Sequence, residues 1–510
     1  MADSKREVGR KYRATPGTRL PDLTRAAGVS AVVHRGPAEL DAVYYDTEDL
    51  RLAADSLTLR RRTGGDDAGW HLEIPVSAGV RDEIRAPLAD TLPPVLGALL
   101  RSRVRRAAVH PVVRIRSTRD VHHLLDGEGA LLAELSVDEV RAERLTEDGR
   151  GATATWTEIE VELADGVDPA LLDAVGRRLR KAGIRPEAAP SEPARALAGT
   201  APPGPGRRPT DEAPVPATAG SCVLAYVRRQ VTALVALDPA VRRELPDGVH
   251  RMRVATRRLR SVLRTYRAVL DRAATDPLRE ELAWLAGELG VDRDREVLDA
   301  RLGSRLAALP PRLVLGPVEA RLRLGSAAGR TASRRRVLAA LDSGRHLDLL
   351  DALDALLADP PLRPAAGRAP REVLPRAVLA DYERLAGRVT HALDRPAGPE
   401  RDVAVHEARK AAKRVRYAAE AAEPALGRPA ARFAGRMKSL QSLLGDHQDS
   451  VVARDALLAL AVQAHDAGES AFTWGVLHGR EEAAADARER ELPGVWARAS
   501  RPGLRAALEG

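Results

Sequence analysis

A histidine followed by regularly spaced cations occurs twice in the second half of the chain. The first block is His250-Arg-Met-Arg-Val-Ala-Thr-Arg-Arg-Leu-Arg260, and the second is His406-Glu-Ala-Arg-Lys-Ala-Ala-Lys-Arg-Val-Arg416. At about 100° per residue, each block places its histidine and its cations on one face of a helix. Like charges at this spacing repel each other by about 0.2–0.5 kcal/mol per pair, so the pattern indicates an anionic partner. The cations of the two faces are Arg253, Arg257, Arg260, Arg409, Lys410, Lys413 and Arg416.

The chemistry of these faces fits phosphate. Guanidinium groups bind phosphate oxygens in a bidentate manner, and imidazole near neutral pH donates to phosphate and gains charge as it does so. Metal binding by His250 and His406 is disfavoured because their neighbours are cationic. Two alternatives stay open: a charged face that water merely solvates, and a nucleic acid as the polyanion. The 3% of aromatic residues and the lack of a recognisable nucleic-acid motif count against the second.

A second repeated block lies downstream of each basic face. Leu285-x3-Leu289-Gly290-x3-Asp294 matches Leu440-x3-Leu444-Gly445-x3-Asp449, and the two copies are displaced by about the same distance as the basic blocks. Apolar residues recur at helical spacing around both, which predicts a duplicated all-helical bundle with halves of roughly 150 residues. Proline and glycine are expected at the joints. We therefore predict separate helices over residues 277–289 and 294–308, and again over 429–443 and 450–467.

The first part of the chain alternates polar and apolar residues, as strands do. Strands are predicted at residues 42–45, 57–62, 70–76, 112–116, 131–137 and 157–163, before a helix at 169–182. One reading of the charged strand faces is a closed barrel with a wet lumen, in which arginines receive phosphates and carboxylates hold a divalent cation. The alternative is the outer face of an ordinary antiparallel sheet. The faces are Arg60 with Arg62, Arg114 with Arg116, and Glu158, Glu160 with Glu162.

Charge and composition divide the chain at the same place. Residues 1–200 have a net charge of −2 and residues 201–510 a net charge of +11, which together give the total of +9. Residues 201–217 are dense in proline and glycine and predict a linker. Cys222 is the only cysteine, which excludes an intramolecular disulfide and a multi-thiolate metal site. Neither an apolar signal core nor an apolar run of about 18 residues is present, so we expect a cytoplasmic protein without a membrane partner.

The repeated H-x2-R-x3-[RK]-x2-R helices, each followed by L-x3-L-G-x3-D, resemble the CHAD domain, a conserved histidine α-helical domain, over roughly residues 219–505. The resemblance implies a duplicated helical bundle that binds inorganic polyphosphate along a basic groove and needs no cofactor to do so. Within the second Leu-Gly block, His447 has Asp292 as its counterpart and is given no role. The implied phosphate contacts are His250, Arg253, Arg257, Arg260, His406, Arg409, Lys413 and Arg416, to which the basic face adds Lys410.

The first part resembles the CYTH or triphosphate tunnel metalloenzyme domain over roughly residues 5–198. The motifs that carry the resemblance are EVGRK from Glu7, YYDT from Tyr44, LTLRRR from Leu57, WHLEIP from Trp70, AELSVDEV from Ala133 and EIEVE from Glu158. It implies a barrel that binds and hydrolyses triphosphates with Mg²⁺ or Mn²⁺. The implied phosphate contacts are Lys11, Arg60, Arg62, Arg114 and Arg116, and the implied metal ligands are Glu7, Asp138, Glu158 and Glu160.

Two departures from that family pattern bear on activity. The opening signature E-x-E-x-K has Gly9 in place of its second glutamate, and Glu73 replaces the lysine of W-x-L-K-x-P. Because a metal must neutralise the transferring phosphate and orient water, losing a ligand and a phosphate contact should damage hydrolysis more than binding. Glu73 would restore the missing carboxylate if it reached the same metal.

Together these observations predict an α+β protein: an antiparallel barrel at 1–200, a linker at 201–218 and an all-α duplicated bundle at 219–505. The expected function is binding of inorganic polyphosphate by the helical part, beside a degenerate tunnel. The alternatives are a metal-dependent tripolyphosphatase or nucleoside triphosphatase acting in the barrel, and a nucleic-acid-binding helical protein.

Overall fold

The computed structural model describes residues 3–64, 67–146, 151–187, 195–197 and 217–509, without the side chains of 291–293 and 327–328. The chain divides into two compact units, Met1–Pro209 and Thr210–Gly510. The predicted linker at 201–218 lies outside the described residues except for its last two. No helix in the described ranges is both long enough and apolar enough to cross a membrane.

The first unit is a closed antiparallel barrel. The strands are β1 (Asp3–Ala14), β2 (Ala31–Asp46), β3 (Thr58–Thr63), β4 (Gly69–Ser77), β5 (Val80–Ala86), β6 (His110–Leu125), β7 (Leu131–Arg144), β8 (Thr153–Leu163) and β9 (Arg185–Pro186). Around the barrel they follow the order β5-β4-β3-β2-β6-β7-β8-β1, and β1 closes the barrel by pairing with β5 as well as β8. The short strand β9 adds to the second half of β1.

The barrel is accompanied by the helices α1 (Arg51–Ala54), α2 (Pro94–Val104) and α3 (Ala170–Lys181). Helix α3 is amphipathic, and its buried leucines and valine pack on apolar residues of β1, β7 and β8. Helix α2 covers β3, β4 and β5 in the same way. Because alternate strand residues point to opposite faces, covering the outside leaves the other face of each strand for the lumen. The charged residues of the strands therefore face inward wherever their apolar neighbours are covered.

The second unit is helical throughout its described residues. Its first helix starts with a capping box, in which the side chains of Thr218 and Ser221 satisfy each other's backbone N–H groups. The helices are α4 (Ala219–Arg242), α5 (Gly248–Thr265), α6 (Arg272–Ala307), α7 (Val318–Asp342), α8 (Gly344–Ala358), α9 (Pro370–Asp394), α10 (Pro399–Leu426), α11 (Arg428–Asp466), α12 (Phe472–Ala499) and α13 (Pro502–Glu509). One apolar cluster runs through both halves of this unit.

The sequence predicts that each Leu-Gly block separates two helices, and this prediction is wrong. Except for their last residue, which caps the helix in each case, residues 277–308 fall within the continuous helix α6 and residues 429–467 within the continuous helix α11. A helical glycine costs about 1 kcal/mol relative to alanine, but it does not end a helix by itself. Leu285, Leu289, Leu440 and Leu444 are all buried and hold their helices against the core in the turns just before each glycine.

Candidate phosphate and metal sites

Four of the predicted phosphate-binding cations lie close together where α5 packs against α10. Arg253 and Arg257 come from α5, and Arg409 and Lys413 come from α10. Burial, and then the charges of Arg409, Arg257 and Arg253, lower the pKa of Lys413 to about 7. Burial and the nearby Arg257 also lower the pKa of Arg409. We call these four residues the cationic cluster; each half of the duplicated unit contributes two of them.

A matched glycine and aspartate hold one arginine in each half. A Cβ atom on Gly290 would lie 3.4 Å from Nη2 of Arg253, and a Cβ on Gly445 would lie 3.4 Å from Nη2 of Arg409. The glycine therefore lets the guanidinium lie directly against the neighbouring helix. One turn later, Asp294 accepts a 2.6 Å hydrogen bond from Arg253. The corresponding Asp449 lies 3.7 Å from Arg409. This contact explains the repeated G-x3-D pattern.

In the described structure, the other two members of the cationic cluster are not directly bonded to a carboxylate, although the charge of Asp449 partly offsets that of Lys413. Within the part of the chain that the structure describes, neither Arg257 nor Lys413 forms an ion pair, and Nε of Arg257 is buried without a hydrogen-bond partner. Buried cations ordinarily occur paired, because an unpaired charge costs free energy out of water. Arg257 and Lys413 therefore leave positive potential that a bound anion would offset.

The remaining predicted contacts in this unit lie at the margins of the cluster. Lys410 is exposed and binds Glu407 at 2.8 Å. Arg416 binds Glu420 at 2.7 Å. Arg260 is largely exposed, and partial desolvation of its guanidinium group, followed by the charges of Arg279 and Arg264, lowers its pKa. The two histidines, His250 and His406, are half-buried on α5 and α10; burial and then the charge of Lys410 lower the pKa of His406.

The barrel of the first unit encloses a charged tunnel of about 550 Å³. Three predicted phosphate ligands, Lys11, Arg60 and Arg62, line it. Each is already bound to a carboxylate: Lys11 to Glu158 at 2.8 Å, Arg60 to Glu73 at 2.5 Å and to Glu83 at 2.9 Å, and Arg62 to Asp67 at 2.5 Å. A triphosphate entering the tunnel would have to displace these bonds.

Three carboxylates meet at one place in the tunnel wall. Oxygen atoms of Glu7, Glu73 and Glu83 lie within 4.8 Å of one another. Burial, and then the charges of Glu162 and Glu83, raise the pKa of Glu7 to about 7. Although burial opposes it, hydrogen bonding from His71 and the charge of Arg60 hold the pKa of Glu83 well below its usual range. Closely spaced oxygen donors of this kind suit a hard divalent cation such as Mg²⁺ or Mn²⁺.

The other predicted metal ligands are buried but engaged elsewhere. Asp138 accepts a bidentate pair from Arg119 at 2.8 and 2.9 Å. Glu160 accepts a 2.7 Å bond from Arg81, which also donates to Glu7 at 2.7 Å. Glu158 binds Lys11. The structure thus joins Glu7 with Glu73 and Glu83, rather than with the three carboxylates that the resemblance implied.

Arg114 and Arg116 do not reach the tunnel. Both lie beside Asp41, at 2.5 and 3.5 Å, with their side chains 40% and 51% exposed. On the same strand, Ser117 and Arg119 line the lumen, so residues of even number point outward there. The tunnel lining also contains cations that the sequence reasoning missed: Arg81, Arg119, Arg85, Lys5 and Arg10. The alternation of side chains along a strand could have indicated which cations face the tunnel. It does so only once the inward face of β5 and β6 is known.

Gly9 is required by the packing of the barrel. Its N–H donates to the Gly79 carbonyl oxygen at 3.0 Å, and a Cβ atom there would lie 3.0 Å from the Val161 carbonyl oxygen. That separation is tighter than side chains normally tolerate, so glutamate at this position would require β8 to shift. The glycine in the opening signature is therefore tied to how β1 pairs with β8. Glu73, and not a glutamate at position 9, lies in the carboxylate-lined part of the tunnel.

Comparison with known proteins agrees with both units. A family model for the CYTH domain matches residues 5–188, and one for the CHAD domain matches residues 225–458. Two uncharacterized proteins from different strains of Mycobacterium tuberculosis are each 39% identical to this chain over 500 residues, covering 95% of this chain and 94% of the relative. The chain belongs to the family in which a CYTH domain precedes a CHAD domain, as its motifs predicted.

Some solved structures match one part of this chain. PptA from Streptomyces chartreusis is 26% identical, with a TM-score of 0.46, and the match covers 55% of this chain and 99% of that chain. HpAC1 from Hippeastrum, for which a dominant triphosphatase activity is described, is 18% identical with a TM-score of 0.24, covering 39% of this chain and 98% of that one. The predicted fold class, a closed antiparallel barrel followed by an all-helical region, is confirmed.

Proposed function

We propose that the protein binds inorganic polyphosphate through the cationic cluster of its helical unit. The observation that carries the proposal is the position of Lys413 among three arginines, where burial and like charges depress its pKa to about 7. Such an arrangement costs free energy in the absence of an anion. A chain of phosphates offsets that cost, because each phosphate oxygen accepts charge-assisted hydrogen bonds from these groups.

The cluster suits a chain of phosphates because it is formed by both halves of the duplication. Arg253 and Arg409 are aligned by their aspartates, so their guanidinium groups are already ordered before a ligand arrives. Arg257 and Lys413 lie in the same cluster and form no ion pair among the described residues, so their charges are available to an anion. We propose that these four residues bind successive phosphates, with His250, His406, Lys410, Arg260 and Arg416 extending the surface on either side.

The test is the affinity of the full-length protein for polyphosphate after reversing two charges. We expect Arg257→Glu with Lys413→Glu to weaken binding more than about a hundredfold, because each lost charge-assisted contact is worth about 1.5–3 kcal/mol. A matched control reverses Arg312 and Arg323, two exposed cations on other segments of the same unit. Unchanged affinity in the first double variant would contradict the proposal, as would an equal loss in the control.

Competition distinguishes polyphosphate from nucleic acid. Both polyanions would lose affinity steeply with salt, so salt dependence alone does not separate them. Binding of single-stranded nucleic acid draws on aromatic side chains that stack with bases, whereas the cationic cluster consists of three arginines and a lysine. At equal phosphate concentration, we expect polyphosphate to displace a labelled polyphosphate probe more effectively than duplex DNA does. Stronger displacement by DNA would favour the nucleic-acid alternative.

A second function, metal-dependent triphosphate hydrolysis in the tunnel, is favoured by the meeting of Glu7, Glu73 and Glu83. These carboxylates would hold Mg²⁺ or Mn²⁺, which would neutralise charge on a bound triphosphate. Arg60 and Arg81 already bridge the three carboxylates, with donor-to-oxygen distances of 2.5 to 3.7 Å. Because the tunnel cations are paired in this way, we propose binding by the helical unit as the main function.

Phosphate release from tripolyphosphate in the presence of Mg²⁺ or Mn²⁺ tests the tunnel. If the tunnel is active, Glu73→Gln should abolish release, whereas Glu134→Gln, which changes a half-exposed carboxylate at the tunnel edge, should preserve most of it. The variants Lys11→Ala and Glu160→Gln extend the test to the β1 and β8 walls. If all of these variants still release phosphate, hydrolysis occurs outside the tunnel.

A further inference from the structure

Two histidines and an aspartate meet on the outside of the barrel. His34 of β2 lies directly opposite His122 of β6 in the antiparallel register, and Asp120 lies two residues before His122. Residues two apart on a strand share a face, and neighbours across an antiparallel pair do so as well. The lumen on this strand is lined by Ser117 and Arg119, so the three side chains lie on the opposite, outer face.

The ligand atoms of the three side chains converge. Nε2 of His34 lies 2.5 Å from one carboxylate oxygen of Asp120, and Nε2 of His122 lies 3.2 Å from the other. The two imidazole rings are 5.0 Å apart between centroids. One ligand atom from each residue falls within 4.8 Å of the others. A bulge in β2 between His34 and Gly36 accompanies this arrangement, and bulges commonly re-aim a side chain.

The charge surroundings separate this group from the other histidine-containing group of the molecule. Asp402, His447 and Glu489 also converge, but Arg454 donates to Asp402 at 2.6 Å and Arg401 lies 3.1 Å from Glu489. Two guanidinium groups already neutralise those carboxylates. Among the described residues, by contrast, the polar partners of the Asp120 side chain are the two histidines alone. No arginine or lysine side chain in the described ranges is therefore bonded to the Asp120 carboxylate.

We propose that His34, Asp120 and His122 form a binding site for a divalent transition metal of the Zn²⁺ class. Imidazole nitrogens with one carboxylate oxygen are typical ligands of such ions, and three protein ligands leave the fourth tetrahedral position open to water or an outside ligand. The site is accessible, since the side chains of His34 and Asp120 are 57% and 44% exposed. It is distinct from the tunnel, where carboxylates alone converge and suit Mg²⁺ or Mn²⁺.

Calorimetric titration of the untagged full-length protein with Zn²⁺ tests the site. The wild type should bind one Zn²⁺ that the double variant His34→Ala with His122→Ala no longer binds. Each single variant should weaken Zn²⁺ binding by more than about tenfold. Mutating a residue that only supports a metal ligand already lowers metal affinity by about that factor, and loss of a ligand itself should cost more. The matched control is His110→Ala, an exposed histidine at the start of the same strand. Unchanged Zn²⁺ binding in the double variant, or an equal loss in the control, overturns the proposal.

A measurement on the unaltered protein removes any dependence on how the variants fold. Diethyl pyrocarbonate modifies accessible histidines, and mass spectrometry locates the modified residues. Zn²⁺ at a concentration that saturates the calorimetric site should protect His34 and leave His110 reactive. Mg²⁺ at the same concentration should protect neither, because it prefers oxygen ligands. Equal reactivity of His34 with and without Zn²⁺ contradicts the site.

Discussion

Single residues of the cationic cluster carry an electrostatic cost in the free protein. Lys413 is placed where burial and three guanidinium groups disfavour its proton, and Arg257 has a buried nitrogen without a partner. Lysines on a protein surface are ordinarily surrounded by water and acidic neighbours, which stabilise the charged form. We infer that Lys413 is kept near its titration point until phosphate supplies the missing negative charge.

Polyphosphate binding should therefore take up a proton. The pKa of Lys413 is about 7 in the free protein, and bound phosphate should raise it toward the ordinary lysine value of about 10.4. Between these two values the complex holds a proton that the free protein lacks, so affinity should fall as pH rises through that window, by at most about tenfold per pH unit. Calorimetry at pH 8 in two buffers of different ionisation enthalpy should report an uptake approaching about one proton. Lys413→Arg should bind without this uptake; identical heats in both buffers for the wild type would contradict the assignment.

Glu83 in the tunnel shows the opposite situation, a charge that is fully paired. It is completely buried and binds Arg60 at 2.9 Å, His71 at 2.8 Å and Arg85. We expect Glu83→Gln to destabilise the barrel by about 3 kcal/mol, the lower end for a broken buried pair, because Arg60 keeps Glu73. Hydrogen exchange of peptides from β3, β4 and β5 should accelerate accordingly. Glu134→Gln, with its side chain 44% exposed, should leave exchange unchanged. Equal protection in both variants would show that the network adds nothing to stability.

At the scale of elements, the sequence predicts types well and extents poorly. The helix at 169–182 is confirmed as α3, and the six predicted strands fall within observed strands, except that Leu57 lies just before β3. The first strand and β5 were missed because their alternating residues are mostly charged on both faces. The Leu-Gly blocks were misread because a glycine that ends a helix and one that admits a side chain look alike in sequence. Only the position of Arg253 and Arg409 on the neighbouring helix distinguishes them.

The glycine in α11 should be needed for binding, and not for the helix. Gly445→Leu should displace the Arg409 guanidinium, whose Nη2 would lie 3.4 Å from the new Cβ, and weaken polyphosphate binding by about tenfold or more, the value of one charge-assisted contact. Helix content should not fall, since leucine favours helices more than glycine does. Gly435→Leu is the control on the same helix, because a Cβ there meets no atom within 4 Å. Equal polyphosphate affinities of these two variants would contradict the claim that Gly445 makes room for Arg409.

At the scale of the whole molecule, the motifs predict the class and order of the two units. The resemblance implies a barrel, but the strand pattern alone does not show which strands close it, because β1 and β5 pair across more than seventy residues and turn chemistry does not specify that pairing. The sites were predictable in part: four basic residues that the repeated motif singles out lie close together in the helical unit, and their role in binding phosphate stays a prediction. In the tunnel, the pairing of cations with carboxylates involves side chains from β1, β3, β4, β5, β6, β7 and β8, which no local pattern reveals.

The two units should respond separately to polyphosphate. Scanning calorimetry of the full chain should resolve two transitions, since each unit has its own core. A ligand at 100 times its Kd stabilises the unit that binds it by about 2.7 kcal/mol. Polyphosphate should therefore raise the midpoint of one transition by a few degrees and leave the other in place. Glu83→Gln identifies the barrel transition, and that is the one expected not to move. A shift confined to the barrel transition would reverse the assignment of the binding unit.

The central claim, that the helical unit and not the tunnel is the polyphosphate site, is tested most directly by a crystal structure of the full chain soaked with tripolyphosphate and Mn²⁺. We predict phosphate density between α5 and α10, in contact with Arg257 and Lys413. Phosphate and Mn²⁺ in the tunnel beside Glu7 and Glu73, with the cationic cluster empty, would contradict the account.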